Sequence, residues 1–497
     1  MSETGDLESG CLPHRAETAG VALLRGDPKT AIIRLSAPMI AAMLLMSSYN
    51  IVNAIWVAGL GANAMAAIGF ITPLFMVLMG LGSGLGAGVT STIARRIGAC
   101  DRSGANNAVV HALLLVLGIA AVITVPFVLL AEPIAVLFGA GATAGLAAEY
   151  ARIIFTGTVL FLFVNIGYAV LRAEGDSKRT MYAMVASALL NIVLDPVLIY
   201  WAGLGVAGAA WGAVISIGLV TGILLYWFFV KRNTYVSIRR ADFVPDRRVI
   251  ADMLQIGLPA SLEFGLMAAL SIIVNWMLVA TAGTDAVAVY TAGWRVALFA
   301  VIPIAAIGTS VVAVAGAAYG ARQFGKLRVA HRFATALGAG IGLVLSVLTF
   351  IFAHQIASIF SYAPESAPLA PMIASFLATM CFFFPFVAPG IVSGSIFQGT
   401  GRGVYSLVVN IFRNLVFIVV SAYLLAFVFG LGEAGVWWGI VAGNMMGGTF
   451  SYLWARFYVN RMIRLRGAGP ASEPSHEHTA PAEGGIWPPS GACVRDE

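Results

Sequence analysis

The chain contains the same pattern twice, about 222 residues apart. The repeated residues are Pro38, Gly61, Gly98 and Ala99 in the first copy and Pro259, Gly283, Gly320 and Ala321 in the second. About six apolar runs separate equivalent points, so both copies cross a bilayer in the same direction. Parallel repeats of this kind are typical of membrane transporters.

Composition points to the same class. Hydrophobic residues make up 60% of the chain, charged residues only 10%, and the mean hydropathy is +0.90. In a soluble protein roughly a quarter of the residues are charged, and the much lower share in this chain excludes a water-soluble core of this length. Twelve apolar runs are each long enough to cross about 30 Å of hydrocarbon as a helix. The sequence therefore predicts an all-α membrane protein with twelve transmembrane helices, six in each half.

The polar stretches divide the chain. Residues before Asp27 are mostly polar, and those after Gly467 are rich in Pro, Gly, Ser and Glu, a composition that cannot bury a core. The predicted organisation is a disordered tail at 1–28, a six-helix bundle at 29–230, a basic linker at 231–249, a second six-helix bundle at 250–466 and a disordered tail at 467–497.

Lysine and arginine follow the even-numbered spans and are absent after the odd-numbered ones. The loops concerned begin near Arg95, Arg172, Lys231, Arg322, Arg402 and Arg456. Basic loops stay on the cytoplasmic side, so we expect both termini in the cytoplasm and the protein in the cytoplasmic (inner) membrane of a prokaryote. The net charge of +6 then reflects topology and contact with anionic lipid. A nucleic-acid partner would need a basic folded domain, and the sequence indicates none, so we expect no nucleic-acid partner.

Two acidic residues lie deep in predicted spans, Asp195 in the fifth and Glu263 in the seventh. A carboxylate at that depth is expensive and commonly serves an ion or proton pathway. Asn191 precedes Asp195 by one helical turn, so both side chains face the same way. Pro196 removes a backbone donor and frees a carbonyl beside them, although it could equally be a simple kink. Such a pocket can hold a proton, a sodium ion or an organic cation.

Two arginines, Arg295 and Arg413, also lie within predicted spans of the second half. Each could neutralise Glu263, which would make that acid structural, or could bind an anionic group of a substrate. The residues themselves leave both possibilities open.

The motifs of several other classes are missing. No glycine-rich loop ends in Lys-Ser or Lys-Thr, which argues against ATP as the energy source. No His-Glu-x-x-His or aspartate-rich motif lies at membrane depth, so we expect neither an enzyme nor a bound cofactor. The 29 Phe, 17 Met and 10 Trp residues suit a bulky apolar cation as ligand.

Six motifs together resemble the multidrug and toxic compound extrusion family, closest to its branch named for the DNA-damage-inducible protein F. They are SYNIVN at 48–53, GLGA at 59–62, ARRIGA at 94–99, RAEGD at 172–176, NIVLDP at 191–196 and FQGTGR at 397–402. The resemblance runs from about Asp27 to about Arg466. It implies two bundles around a central cleft, alternating access, and export of amphiphilic cations in exchange for protons or sodium ions.

The resemblance also assigns residues. The asparagine and aspartate of the fifth span are intact as Asn191 and Asp195, but the acid of the first span is replaced by Asn53 and the threonine of the sixth by Ala213. A hard cation loses a carboxylate and a hydroxyl by these changes, so a sodium site at Asn191 and Asp195 would be weak. Proton coupling at Asp195 is therefore the favoured mechanism. Glu263 resembles the acid of the seventh span.

Other functions stay open at this point. A flippase of lipid-linked precursors, or an exporter of one specific metabolite, from the same superfamily would leave similar traces in the sequence. The loop at 95–107 lacks the Asp-Arg-x-Gly-Arg-Arg motif of the major facilitator group, which argues against that group. We expect a monomer whose partners are small amphiphilic cations and the lipid bilayer.

Overall fold

The computed structural model describes residues 18–238, 243–361 and 367–467, and in these ranges its regular elements are helices. The helices of the first half are α1 Ala19–Arg25, α2 Pro28–Ala58, α3 Ala62–Gly98, α4 Arg102–Leu129, α5 Ala131–Leu137, α6 Ala144–Thr156, α7 Thr158–Ala173, α8 Ser177–Pro196 and α9 Gly205–Leu225. Those of the second half are α10 Arg247–Ala282, α11 Thr284–Gly320, α12 Phe324–Ile351, α13 Ala353–Phe360, α14 Ala370–Met380, α15 Phe384–Gly399, α16 Gly403–Ile411, α17 Val419–Tyr423 and α18 Gly432–Gly467.

These helices account for twelve membrane spans. Within the described ranges, nine helical segments are long and apolar enough to cross a bilayer. Two further spans are bent pairs, with α6 and α7 meeting at 45° and α14 and α15 at 52°. The 36-residue α18 supplies the twelfth. The prediction of an all-α membrane protein with twelve transmembrane helices in two bundles is confirmed.

Several spans end in π-helical turns. The span that begins with α8 continues beyond Pro196 as such a turn at Val197–Trp201. A proline cannot donate the backbone hydrogen bond that an α-helix requires, and a wider turn absorbs this loss. Similar turns continue α9 at Tyr226–Lys231 and follow α16 at Phe412–Ile418.

The predicted disordered tail at 1–28 is wrong for its last part, because residues 19–25 form helix α1. Its Val21 and Leu24 are 0% and 3% exposed, and the Arg25 guanidinium donates to the carbonyl of Ile97 at 2.6 Å. A seven-residue helix is unstable alone, so packing, which local composition does not reveal, is what stabilises it. Residues 1–17 and 468–497 lie outside the described residues, and their disorder stays a prediction.

The linker between the bundles runs along the first bundle. Glu174, which follows α7, accepts backbone hydrogen bonds from Tyr235 at 3.0 Å and Val236 at 2.9 Å. The next amide, of Ser237, donates to Asn106 Oδ1 at 2.8 Å. Burial raises the pKa of Glu174 to about 7, against the opposing effect of the two amide donors. The part of the predicted linker at 239–242 lies outside the described residues.

Glycines let the two bundles approach at the backbone. α3 packs against α10, where a Cβ on Gly88 would collide with the carbonyl of Met253 and one on Gly84 with Ser261. The contact continues to Gly80 and Phe264 and then stops, because a Cβ on Gly69 or Gly265 would meet nothing within 4 Å among the described residues. The bundles therefore separate beyond this point and leave a cleft between them.

The opposite end of the bundles is closed by a reciprocal contact. This end carries the arginine-rich loops, and we call it the basic end. Gly98 of α3 lies against the carbonyl of Ala317, and Gly320 of α11 lies against the carbonyl of Arg95. Gly98 and Gly320 are equivalent residues of the two repeats. The next positions also match, since Cys100 and Arg322 have left-handed backbone angles, with φ of 61° and 56°.

Candidate functional site

The first candidate site lies in the amino-terminal bundle, between α2, α8 and α9. Asp195 is 0% exposed and Asn191 5% exposed. The Asn53 amide on α2 donates to Asp195 Oδ2 at 2.8 Å and contacts the Tyr49 hydroxyl at 3.0 Å. The structure thus brings together the three residues that the sequence assigns to this site. With Tyr49 and Gly212 of α9 they form the aspartate cluster.

Two oxygens of the aspartate cluster have no hydrogen-bond donor among the described residues. They are Asp195 Oδ1 and Asn191 Oδ1, both buried. They lie 2.5 Å and 3.8 Å from the point that a Cβ on Gly212 would occupy, so they face the same small space. Buried acceptors are normally paired, and leaving one unpaired costs about 1–3 kcal/mol. A proton on Asp195, or a cation between the two oxygens, would satisfy both.

The wall opposite these oxygens is backbone. Gly212 faces the carboxylate, and the neighbouring Ala213, where the related threonine was expected, brings no hydroxyl. Ser216 lies one turn beyond Gly212 on the same face of α9 and is 0% exposed, with no hydrogen-bond partner among the described residues. Sequence reasoning missed both Gly212 and Ser216. Their spacing of four residues and the small side chains facing α8 are the only signal.

The second candidate site lies in the carboxy-terminal bundle around Glu263 of α10. The Ser406 hydroxyl on α16 donates to Glu263 Oε1 at 2.7 Å, and the Gln398 amide at the end of α15 lies 3.5 Å from the same oxygen. Gln398 also donates to the Ser406 hydroxyl at 3.2 Å. These three residues form the glutamate cluster. The neutral donors Ser406 and Gln398 favour the ionised form of Glu263 but do not cancel its charge.

The two possible charge partners of Glu263 named from the sequence do not contact its carboxylate directly. Within the described part of the chain, neither Arg295 nor Arg413 forms an ion pair with Glu263 within 4 Å. Arg295 is exposed, because its position on α11 turns away from the core. Arg413 is 5% exposed, donates to Asn414 Oδ1 at 3.3 Å and acts on Glu263 only at longer range. One of its guanidinium nitrogens has no partner among the described residues.

The two clusters are not copies of one another. At the spacing of the repeats, the counterpart of Glu263 in α2 is Ala41 or Ala42, and the counterpart of Asn53 in α10 is Val274 or Asn275. The duplicated bundles therefore share a fold and differ in where each places the carboxylate within its spans. Across the described residues, no group of three or more His, Cys, Asp or Glu side chains is positioned to hold a metal ion.

This membrane protein has twelve helices in two parallel bundles around a cleft, with a carboxylate inside the spans of each bundle, and these features define it as a transporter. The chain belongs to the MatE family, which matches residues 38–197 and 259–424. The two matched segments begin at Pro38 and Pro259, the equivalent residues of the repeats. The family resemblance drawn from the motifs is confirmed, and with it the expectation that the protein is not an enzyme.

Relatives support the same family over most of the chain. The multidrug export protein MepA of Staphylococcus haemolyticus is 30% identical over 418 residues, covering 83% of this chain and 89% of the relative. The probable multidrug resistance protein YoeA of Bacillus subtilis is 28% identical over 442 residues, covering 86% and 94%. A solved structure described as the outward-facing conformation of a multidrug resistance MATE family transporter is 40% identical, with a TM-score of 0.88, and covers 90% of this chain and all of that one.

Proposed function

We propose that this protein exports amphiphilic cationic compounds by antiport with protons, through alternating access of the cleft between the bundles. The observation that carries the proposal is the pair of buried, unpaired oxygens on Asp195 and Asn191. The names of the relatives, which describe multidrug export and resistance, support the substrate class. An abundance of Phe, Met and Trp in the spans suits ligands of this kind.

The chemistry of the aspartate cluster allows one positive charge at a time. When Asp195 carries a proton, its hydroxyl can donate to Asn191 Oδ1 and both unpaired oxygens are satisfied. When the proton leaves, the carboxylate holds one donor, from Asn53, and has one oxygen free for a cation. Proton and cationic substrate then compete for the same carboxylate. Competition of this kind couples inward movement of protons to outward movement of drug.

Sodium fits the aspartate cluster less well than a proton. Its oxygens come from one carboxylate, two amides and a tyrosine, because Asn53 replaces an acid and Ala213 replaces a threonine of related proteins. One negative charge, without the threonine hydroxyl that related proteins carry at the position of Ala213, makes a weak site for a hard cation. The glutamate cluster offers a second carboxylate, Glu263, for ion coupling.

The proposed orientation places the basic end in the cytoplasm and both termini on the cytoplasmic side of a prokaryotic inner membrane. Loops at this end hold the arginines, as the positive-inside rule expects. The structure, closed at the basic end, then corresponds to a state open to the outside. We propose that the monomer is the functional unit, since each chain contains both bundles and the cleft between them.

Efflux of a fluorescent lipophilic cation from proteoliposomes tests the proposal, with an imposed proton gradient and, separately, a sodium gradient. We expect transport driven by protons alone and lost in Asp195→Asn. Asp285→Asn removes an exposed acid at the start of α11 and is the matched control, expected to transport as the parent does. Glu263→Gln reports whether the second carboxylate takes part.

Three results would contradict the proposal. Proton-driven efflux at the parental rate in Asp195→Asn would remove this residue from coupling. Transport that requires sodium would show that the aspartate cluster binds that ion despite Asn53 and Ala213. Absence of cation transport under both gradients would favour the alternative of a lipid-linked or single metabolite substrate, for which the buried, partly unpaired Arg413 would be the candidate contact.

A further inference from the structure

A cavity of about 380 Å³ lies at the basic end, between the two bundles and beside the contacts of Gly98 with Ala317 and of Gly320 with Arg95. Its volume is within the range of small-molecule sites, roughly 300–1,000 Å³. It is separate from the aspartate and glutamate clusters and shares no lining residue with them. Its polar lining consists of Thr92, Arg95 and Arg96 from the first bundle and Asp252, Tyr319 and Arg322 from the second.

Arg95 is held in this cavity by weak contacts. Its side chain is 21% exposed, and its guanidinium lies 3.4 Å from the carbonyl of Ser91, 3.3 Å from the hydroxyl of Thr92 and 3.7 Å from the carboxylate of Asp252. All three distances are at the long end for hydrogen bonds or ion pairs. A guanidinium has five N–H donors, so the two on Nη1 of Arg95 have no hydrogen-bond partner among the described residues.

The charges around the cavity favour an anion. Three arginines line it and Asp252 is the single carboxylate that does. Arg96 pairs with Asp101 outside the lining, at 3.1 Å, and Arg322 also makes a contact of its own, which a guanidinium with five donors can do while it binds a further group. The carboxylate of Asp252 is 46% exposed and so is partly screened by solvent. A group with several acceptor oxygens matches this arrangement of guanidinium donors, and phosphate is the group that arginine binds in this way.

We propose that this cavity binds a phosphate group, with oxygens that accept hydrogen bonds from Arg95 of one bundle and Arg322 of the other. The two arginines that bind the phosphate then belong to different bundles. A ligand bound between them stabilises the state in which the basic end is closed and must leave before that end opens. Occupancy of the cavity therefore sets the balance between the two states of the transport cycle.

The same chemistry is available from two sources. A soluble phosphate reaches the cavity from the aqueous side of the basic end, and the headgroup of an anionic phospholipid reaches it from the membrane. Both present phosphate oxygens to the same guanidinium groups. The probes for the two sources are inorganic phosphate and phosphatidylglycerol.

The test measures thermal unfolding of the full-length protein in nanodiscs. One series titrates inorganic phosphate at constant ionic strength in phosphatidylcholine, and the other raises the fraction of phosphatidylglycerol. We expect saturable stabilisation in at least one series. Stabilisation by phosphate in phosphatidylcholine indicates a soluble ligand, and stabilisation by phosphatidylglycerol alone indicates a lipid headgroup.

Variants of opposite sign keep the test independent of folding defects. Arg322→Asn removes one phosphate donor and should weaken the apparent affinity about tenfold, the usual loss for a charged hydrogen bond. Asparagine tolerates the left-handed backbone at this position. Asp252→Asn removes the competing carboxylate and should strengthen it. Arg328→Asn, on the exposed surface of α12, removes the same charge outside the cavity and should leave it unchanged.

Two results would overturn the proposal. One is the absence of saturable stabilisation by either probe. The other is a response in which Arg322→Asn, Asp252→Asn and Arg328→Asn change the apparent affinity by the same factor in the same direction, because this reports net charge rather than a site.

Discussion

Substitution of Gly320 by alanine should prevent the basic end from closing. A Cβ at this position would lie 2.7 Å from the carbonyl carbon of Arg95 and closer still to its oxygen. Carbon atoms in contact are normally about 3.5–4.0 Å apart, so one bundle must shift by on the order of 1 Å. The obstacle is backbone, which cannot rotate away as a flexible side chain can.

Overpacking of this kind costs about 1–3 kcal/mol, and a clash with backbone belongs in the upper part of that range. A cost of about 2–3 kcal/mol that falls only on the closed state changes the ratio of the two states about 30- to 150-fold. If the parent favours the closed basic end by less than this, Gly320→Ala will populate the opened form. Export should slow, because the cycle must pass through the closed state.

Distances between spin labels at the basic end measure this directly. Labels at Lys178 of the first bundle and Arg328 of the second lie on exposed positions in the described structure. Gly320→Ala should lengthen and broaden the distance distribution between them. Gly340→Ala on α12 is the control, because a Cβ there meets nothing within 4 Å among the described residues. An unchanged distribution in Gly320→Ala, or the same change in both variants, would refute the steric argument.

Two further predictions concern the aspartate cluster and the linker. Gly212→Ala places a Cβ 2.5 Å from Asp195 Oδ1 and should cost about 1–3 kcal/mol of overpacking, seen as a lower melting temperature and at least a fivefold slower proton-driven efflux. Gly222→Ala is the control on the same helix and should be neutral, because a Cβ there has open space around it. Equal behaviour of the two variants would contradict the assigned position of the carboxylate. For Glu174, burial raises the pKa to about 7 from an ordinary value of 4.5, so the folded state retains a proton that the unfolded chain releases. Its contribution to stability is therefore complete below pH 4.5 and lost as the pH rises through 7, by about 3 kcal/mol in all. Melting temperatures of the parent and Glu174→Gln at pH 5 and pH 8 should show the parent losing more stability at pH 8, and parallel curves would count against this.

The sequence was sufficient to predict the parts of the fold that the bilayer constrains. The number of spans follows from the length that a helix needs to cross the hydrocarbon, and the two bundles follow from the repeated residues. Helix α1 was missed because a seven-residue segment is stabilised by distant contacts such as that of Arg25 with Ile97. Nothing in its own composition separates it from the polar stretch around it.

The candidate sites were predictable to a lesser degree. Asp195 and Asn191 could be paired because they are one turn apart on the same helix, and Asn53 could be added by resemblance. The partner of Glu263, Ser406, could not be predicted, because serines are common in the spans and only tertiary structure selects one. Whether Arg295 approaches Glu263 could not be predicted, because depth along a span does not reveal which way a side chain faces, and that depends on the packing of neighbouring helices.

The reciprocal contact at the basic end has a genetic consequence. Gly98 and Gly320 each meet main chain of the opposite repeat, so no exchange of a side chain across the interface can make room for a larger residue. Second-site suppressors of Gly320→Ala should therefore arise away from the contact, at positions that tilt a whole helix. The same reasoning predicts that the two positions do not covary and that each keeps its glycine independently as sequences diverge.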